Sequence, residues 1–354
     1  MGLLNFRKKK NEPVTPENVV DSAVLEEFLE KPPYEAAQTQ LTPSGLFPHE
    51  VLLLDHASSF FTDQTEFPSY WRTNIGILDV SSQLASLVDR GFLTEASIEA
   101  TLDKQTVKSL KEALRKSALP VGGRKAELTE RLRAALSDTD LYALFPRRLF
   151  ALTWDGIRAL DEAMYISYVG RFPIDGLTIW DMHRKVVEHP DKSYRDLIWA
   201  HLEAQSIKYR KEQEYAAYRN LRYRMYQFLM EELKRKRAFP FLAEVMFYDL
   251  SGVESTSDPL HRYVSAKHFF PYDKSIVKLS AGNVQAMTKL QIDLNLSDDM
   301  LKALLMQFFS QLQLPAHLFT PEECVLIILL ELQGDIDSLR QVYERAEKQF
   351  AEGH

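Results

Sequence analysis

Nine lysines and arginines crowd into residues 101–136 of this 354-residue sequence, against four acidic residues, a local charge of +5. The whole chain carries −7, so everything outside that stretch sums to −12. A basic island on an acidic chain suits one chemistry above others, neutralisation of backbone phosphates on a nucleic acid. Within it, Gly122 and Gly123 stand directly before Arg124 and Lys125, and Lys111, Arg115 and Arg131 flank them.

Two short helices must position those side chains. Thr106 reads as an N-cap, and Val107, Leu110 and Leu114 follow at helical spacing with Lys108, Lys111, Arg115 and Lys116 on the other faces. Leu119 and Pro120 end that helix, and Gly122-Gly123 supplies the backbone freedom for a reversal. A second helix carries Leu128 and Leu132 inward, with Arg131 and Arg133 elsewhere. Its N-terminus combines unsatisfied N–H groups with the positive end of the helix dipole, an arrangement that favours phosphate. The expected contacts are the backbone at Gly122 and Gly123, with Arg124 and Lys125 supplying charge and Lys111, Arg115 and Arg131 behind them. Leu110, Leu114, Leu128 and Leu132 hold the hairpin together, and a hairpin this short buries too little to be stable alone.

The stretch resembles the SAP motif, a helix–extended loop–helix module. The elements that carry the likeness are Thr106-Val107, Leu110-Lys111, Leu119-Pro120, Gly123-Arg124-Lys125, Glu127-Leu128 and Arg131-Leu132. The resemblance covers about a tenth of the chain. It implies duplex-DNA binding with little sequence preference, and it implies no reaction.

A second basic region spans 205–237, with ten Lys or Arg against four Asp or Glu, a net +6. Tyr209, Tyr215, Tyr218, Tyr223 and Tyr226 interleave there with Arg210, Arg219, Arg222 and Arg224. Such a face could stack on bases. The acidic remainder of the chain favours the other reading, in which Tyr215 and Tyr218 are core and the arginines pair with acidic neighbouring helices.

No catalytic signature is present: no P-loop, no G-x-G-x-x-G, no G-x-S-x-G and no H-E-x-x-H. His183 and His189 are poorly spaced for ligation on one helix face. His261 and His268 share a face but have no Cys or acidic partner at ligand spacing. These are expected to be surface or satisfied histidines, and neither metal nor cofactor is expected. Cys324, the sole cysteine, sits at the head of an apolar helix and reads as packing.

Apolar content of 45% and aromatic content of 11% provide for packed domains. No run approaches the length of a membrane span, so no stable insertion is expected, and a single cysteine gives no disulfide framework. A cytoplasmic location fits. Residues 1–45 read as tail and linker, with a basic cluster at 7–10, a helical run at 16–30, and prolines throughout. Residues 46–172 form a small domain around the hairpin. Its run SQLASLVDRGFLTEA resembles the helix-then-Gly ending of winged-helix domains, and 149–163 resembles their closing strand and helix. Residues 173–354 read as helical and repeat-like. They include a long aromatic helix at 213–232, a basic break at 234–237, a polar loop at 253–259 and a capping box at Thr320-Pro321-Glu322-Glu323.

The fold class expected is therefore mainly α: a SAP-like module within a winged-helix-like α+β unit, then a repeat-like helical domain. The function expected is non-catalytic DNA binding or anchoring, with double-stranded DNA as one partner and an unidentified protein bound by the C-terminal helices. The alternative is a protein-interaction scaffold without DNA contact.

Overall fold

The computed structural model describes residues 39–252, 268–312 and 318–352. The features read at 7–10, 16–30 and 253–259, and His261, lie outside those residues. The chain divides into two compact units, Met1–Tyr194 and Arg195–His354.

In the first unit, α1 (Pro48–His56) opens with Pro at its first turn, and Val51, Leu52, Leu53 and Leu54 are wholly buried. The buried Glu50 caps it, accepting from the Phe47 N–H at 2.8 Å and pairing with Arg90 at 2.5 Å. Helix α2 (Val80–Asp89) is capped by Asp79, which accepts from the Ser82 N–H, and Gly91 at φ +81° turns the chain out of it. Strand β1 (Leu93–Glu95) follows. Four helices come next: α3 (Ile98–Lys104), α4 (Val107–Lys116), α5 (Lys125–Ala135) and α6 (Asp138–Leu144). The chain then returns as β2 (Phe150–Leu152), antiparallel to β1 with Leu93 opposite Leu152. Helices α7 (Trp154–Glu162), α8 (Met164–Arg171) and α9 (Ile179–Glu188) complete the unit. The strand and helix expected to close the α+β unit are thus β2 and α7. Gly156 lets α7 start against the ribbon, since a Cβ there would lie 2.2 Å from the Phe92 carbonyl oxygen.

The division falls after Tyr194 rather than at the expected 172/173. The reason is that α9 packs on α8 and α1. His183 of α9, 2% exposed, also accepts from the Tyr165 hydroxyl at Nδ1 and donates from Nε2 to the Gln40 carbonyl, both at 2.7 Å. It is the satisfied histidine that the sequence suggested.

The second unit is helical among its described residues. Helices α10 (Tyr194–Glu212), α11 (Tyr215–Glu231) and α12 (Arg235–Ser251) come first. Then come α13 (Ala281–Asp293), α14 (Asp298–Phe309), α15 (Pro321–Gln333) and α16 (Ile336–Glu352). The basic break expected at 234–237 is a correction: α12 already begins at Arg235, because Leu233 at φ +56° makes the reversal in one step. Helices α11 and α12 form a hairpin, and α12 also packs on α13, α14 and α15. Leu242, Met246, Met287, Leu301, Leu305, Ile327 and Ile328 share that core, with Phe247 stacked on Phe309. The expected capping box is present, with Thr320 and Glu323 bonding each other's backbone N–H groups. Cys324 is buried in the core, where burial and the nearby Glu323 and Glu322 hold its thiol protonated.

Candidate nucleic-acid interface

The module between the two strands has its own small core. Leu110, Ala113 and Leu114 of α4 meet Leu128 and Leu132 of α5, and the flanking helices contribute Ile98, Leu102, Leu141 and Phe145. Sequence reading placed two helices here; the structure places four. The apolar surface that a bare hairpin would leave open is closed by α3 and α6. Two arginines fix the module's exit. Arg147 bonds Asp63 through its Nε and lies over the Phe61 ring at 4.0 Å. Arg148 lies over the Tyr142 ring at 3.6 Å and donates to the Phe145 carbonyl.

Local chemistry sets the hairpin geometry. Thr106 caps α4 by accepting from the Ser109 N–H at 3.1 Å. At the other end Ala118 takes a left-handed conformation, φ +54°, with its N–H on the Arg115 carbonyl and the Leu119 N–H on the Leu114 carbonyl. That is a Schellman termination with alanine where glycine is preferred. Of the two loop glycines, Gly123 has positive φ, +122°. Its missing side chain makes room for Glu127, because a Cβ there would lie 2.4 Å from Glu127 Oε2.

The seven residues expected to contact DNA do not play one role. Gly122, Gly123, Arg124, Lys125 and Arg115 are exposed, while Lys111 and Arg131 are half-buried. The Arg124 N–H at the start of α5 donates to the Glu127 carboxylate at 3.2 Å, so the helix N-terminus already faces an anion of its own. Arg131 donates from Nη1 to the Pro120 carbonyl at 2.5 Å and to the Gly122 carbonyl at 3.0 Å, tying the loop to α5. Lys125 donates to the Asp103 carbonyl at 2.7 Å, at the C-terminal end of α3. Arg133, about two turns further along α5, donates to the Glu99 carbonyl and pairs with Asp103 at 3.1 Å. Lys125 and Arg133 therefore clamp α5 onto α3.

Arg124 and the cations of α4 remain. Among the described residues no carboxylate ion-pairs with Lys104, Lys108, Lys111, Arg115, Lys116 or Arg124, and only Arg133 of the nine basic residues is in an ion pair. Lys108, omitted from the expected contacts, stands with Lys111 and Arg115 at i, i+3 and i+7, a spacing that shares one helix face. That spacing was visible in the sequence.

The second basic region is arranged in the opposite way. Tyr218 is fully buried and donates to Glu244 at 2.7 Å, and Arg222 pairs with the same carboxylate at 2.5 Å. Arg219 forks onto Asp249 at 2.7 and 2.8 Å. Arg210, Arg224, Lys234 and Arg235 each reach a carboxylate as well, so six of the ten cations are internally paired. The core-and-pairing reading of 205–237 matches these contacts at Tyr218 and the paired arginines, while Tyr215 is only half-buried.

No group of His, Cys, Asp and Glu among the described residues is placed to hold a metal ion, and no described helix is long and apolar enough to cross a membrane. The four-helix insert thus combines buried leucines with an exposed basic helix, α4. The family model of the SAP domain matches residues 101–137, so the chain carries a SAP domain. No curated protein and no solved structure matches the chain.

Proposed function

We propose that the protein anchors to double-stranded DNA through its SAP domain, with little sequence preference and without catalysing a reaction, and that its helical second unit holds a protein partner. The observation that carries this reading is the concentration of unpaired cations on a module whose fold is otherwise fully packed. Phosphate contacts require such free charge, and loss of sequence preference follows when base edges are not read. The site comprises Gly122, Gly123, Arg124, Lys125, Lys111, Arg115 and Arg131, with Arg131 holding the loop and Lys125 holding α5 to α3. A cytoplasmic setting goes with this reading.

Binding of the full chain to a labelled duplex, measured across salt concentrations, tests it. Neutralising three to four phosphates gives a log–log slope of about −3, and duplexes of unrelated sequence bind alike. Absence of binding at low salt overturns the proposal. The scaffold reading without DNA contact has its own support in the second unit. There Met300 and Leu304 of α14 and Leu326 of α15 are exposed to 52%, 38% and 38%. Under that reading the chain captures a protein partner and ignores the duplex.

A further inference from the structure

Most of the cations that remain free are not where a helix-terminus phosphate site would need them. Of the six that neither ion-pair nor bond a carbonyl among the described residues, four lie on or beside the outer face of α4, while Lys104 ends α3 and Arg124 alone stands at the start of α5. Lys108 and Arg115 point directly away from Leu110, Ala113 and Leu114, and both are exposed; Lys111 and Lys116 border that face on either side. At the start of α5 the Glu127 carboxylate bonds the Arg124 N–H, Lys125 is turned onto α3, and Arg131 is turned into the loop. Resting on the DNA-binding reading above, we infer that the domain lays α4 along one strand of the duplex, with Lys108, Lys111 and Arg115 as its phosphate contacts, and does not present the N-terminus of α5 to a phosphate.

The dimensions fit. Seven residues separate Lys108 from Arg115, about 10.5 Å along a helix axis. One strand of B-form DNA carries a phosphate about every 3.4 Å of duplex axis, so the three side chains span about three phosphates. The face carries one opposing charge, Glu112, exposed between Lys108 and Arg115 and in no ion pair among the described residues. Lysine and arginine on an exposed helix face also explain the low sequence preference, because long flexible cations follow the backbone and do not read bases. In this arrangement Lys125 and Arg131 are positioning residues.

The test uses the full chain and the same salt titration. Replacing Lys108, Lys111 and Arg115 together by alanine leaves the fold intact by circular dichroism and removes about 2.7 from the slope of about −3. Glu112→Lys adds a cation to the face and steepens the slope by about 0.9, an outcome a misfolded variant cannot imitate. The inference is overturned if the triple variant keeps its slope or if Glu112→Lys leaves it unchanged. Failure of the unaltered chain to bind duplex at any salt overturns the DNA-binding reading itself. The two failures are therefore distinct.

Discussion

Residues 101–136 and 205–237 carry nearly the same excess charge, +5 and +6, and both mix it with helix-forming residues. Among the described residues one of nine cations in the first stretch is ion-paired, against six of ten in the second. The SAP domain is small, and its helices pack through apolar side chains, so most of its charges are left on the outside. The second region lies on long helices and pairs its cations with its own Glu231 and Glu232, with Glu244 and Asp249 further along α12, and with Asp293 of α13. Local charge therefore identifies a candidate interface only together with where the acids fall in three dimensions.

The largest expected difference between the two regions is in stability. Glu244, 1% exposed, is held by Tyr218 and Arg222. Glu244→Ala leaves Arg222 without its buried counter-charge and costs about 3–5 kcal/mol in denaturant unfolding of the full chain. Removing exposed α4 lysines changes stability by no more than about 0.5 kcal/mol. A loss below 1 kcal/mol for Glu244→Ala would mean that the second region's charges are not structural.

A smaller gain is expected in the SAP domain. Ala118 holds a left-handed conformation, which costs an L-residue about 1–2 kcal/mol. Glycine removes that strain but adds about 0.4–1 kcal/mol of unfolded-state freedom. Ala118→Gly therefore stabilises the domain by about 0.5–1 kcal/mol, read as a higher Tm with an unchanged salt slope. Destabilisation would show that the Schellman turn does not limit this module.

Acid sets a third kind of charge against both regions, a buried neutral group. Burial lowers the pKa of His183 from its ordinary 6.5, although its bond to the Gln40 carbonyl opposes the shift. The unfolded chain then takes up a proton before the folded one does. The contribution of neutral His183 is fully present above pH 6.5 and is lost as pH falls from there towards the lowered folded value. Unfolding at a series of pH values between 5 and 7.5 should show this loss, and His183→Gln should flatten it. An unchanged pH profile in that variant would place the acid sensitivity elsewhere.

The hairpin was legible because its determinants are local: the Thr106 cap, the leucine spacing and the loop glycines all act within a few residues. Helices α3 and α6 were missed because each is seven residues long and offers the core only a pair of apolar side chains, Ile98 with Leu102 and Leu141 with Phe145. Such pairs acquire meaning only beside the hairpin they cover. The roles of Lys125 and Arg131 were illegible for a related reason. Their partners are carbonyls at residues 103, 120 and 122, and a carbonyl has no signature in sequence. The paired arginines of 205–237 were anticipated from the −12 left elsewhere in the chain, a global constraint that identified no single partner.

The contrast is weakest at the end of α10, where Lys208 and Lys211 are exposed and in no ion pair among the described residues. Glu212 and Glu214 stand beside them in sequence and offset their charge. Exposed side chains without partners contribute little to stability, so replacing both lysines by alanine changes it by no more than about 0.5 kcal/mol. If α4 carries the duplex contact, the same double variant leaves the salt slope within about 0.3 of its starting value. A fall of about 1.8, the value for two phosphates lost, would extend the DNA footprint into the second unit. Both basic stretches would then contact DNA, and the division between exposed and internally paired charge would hold only for the arginines.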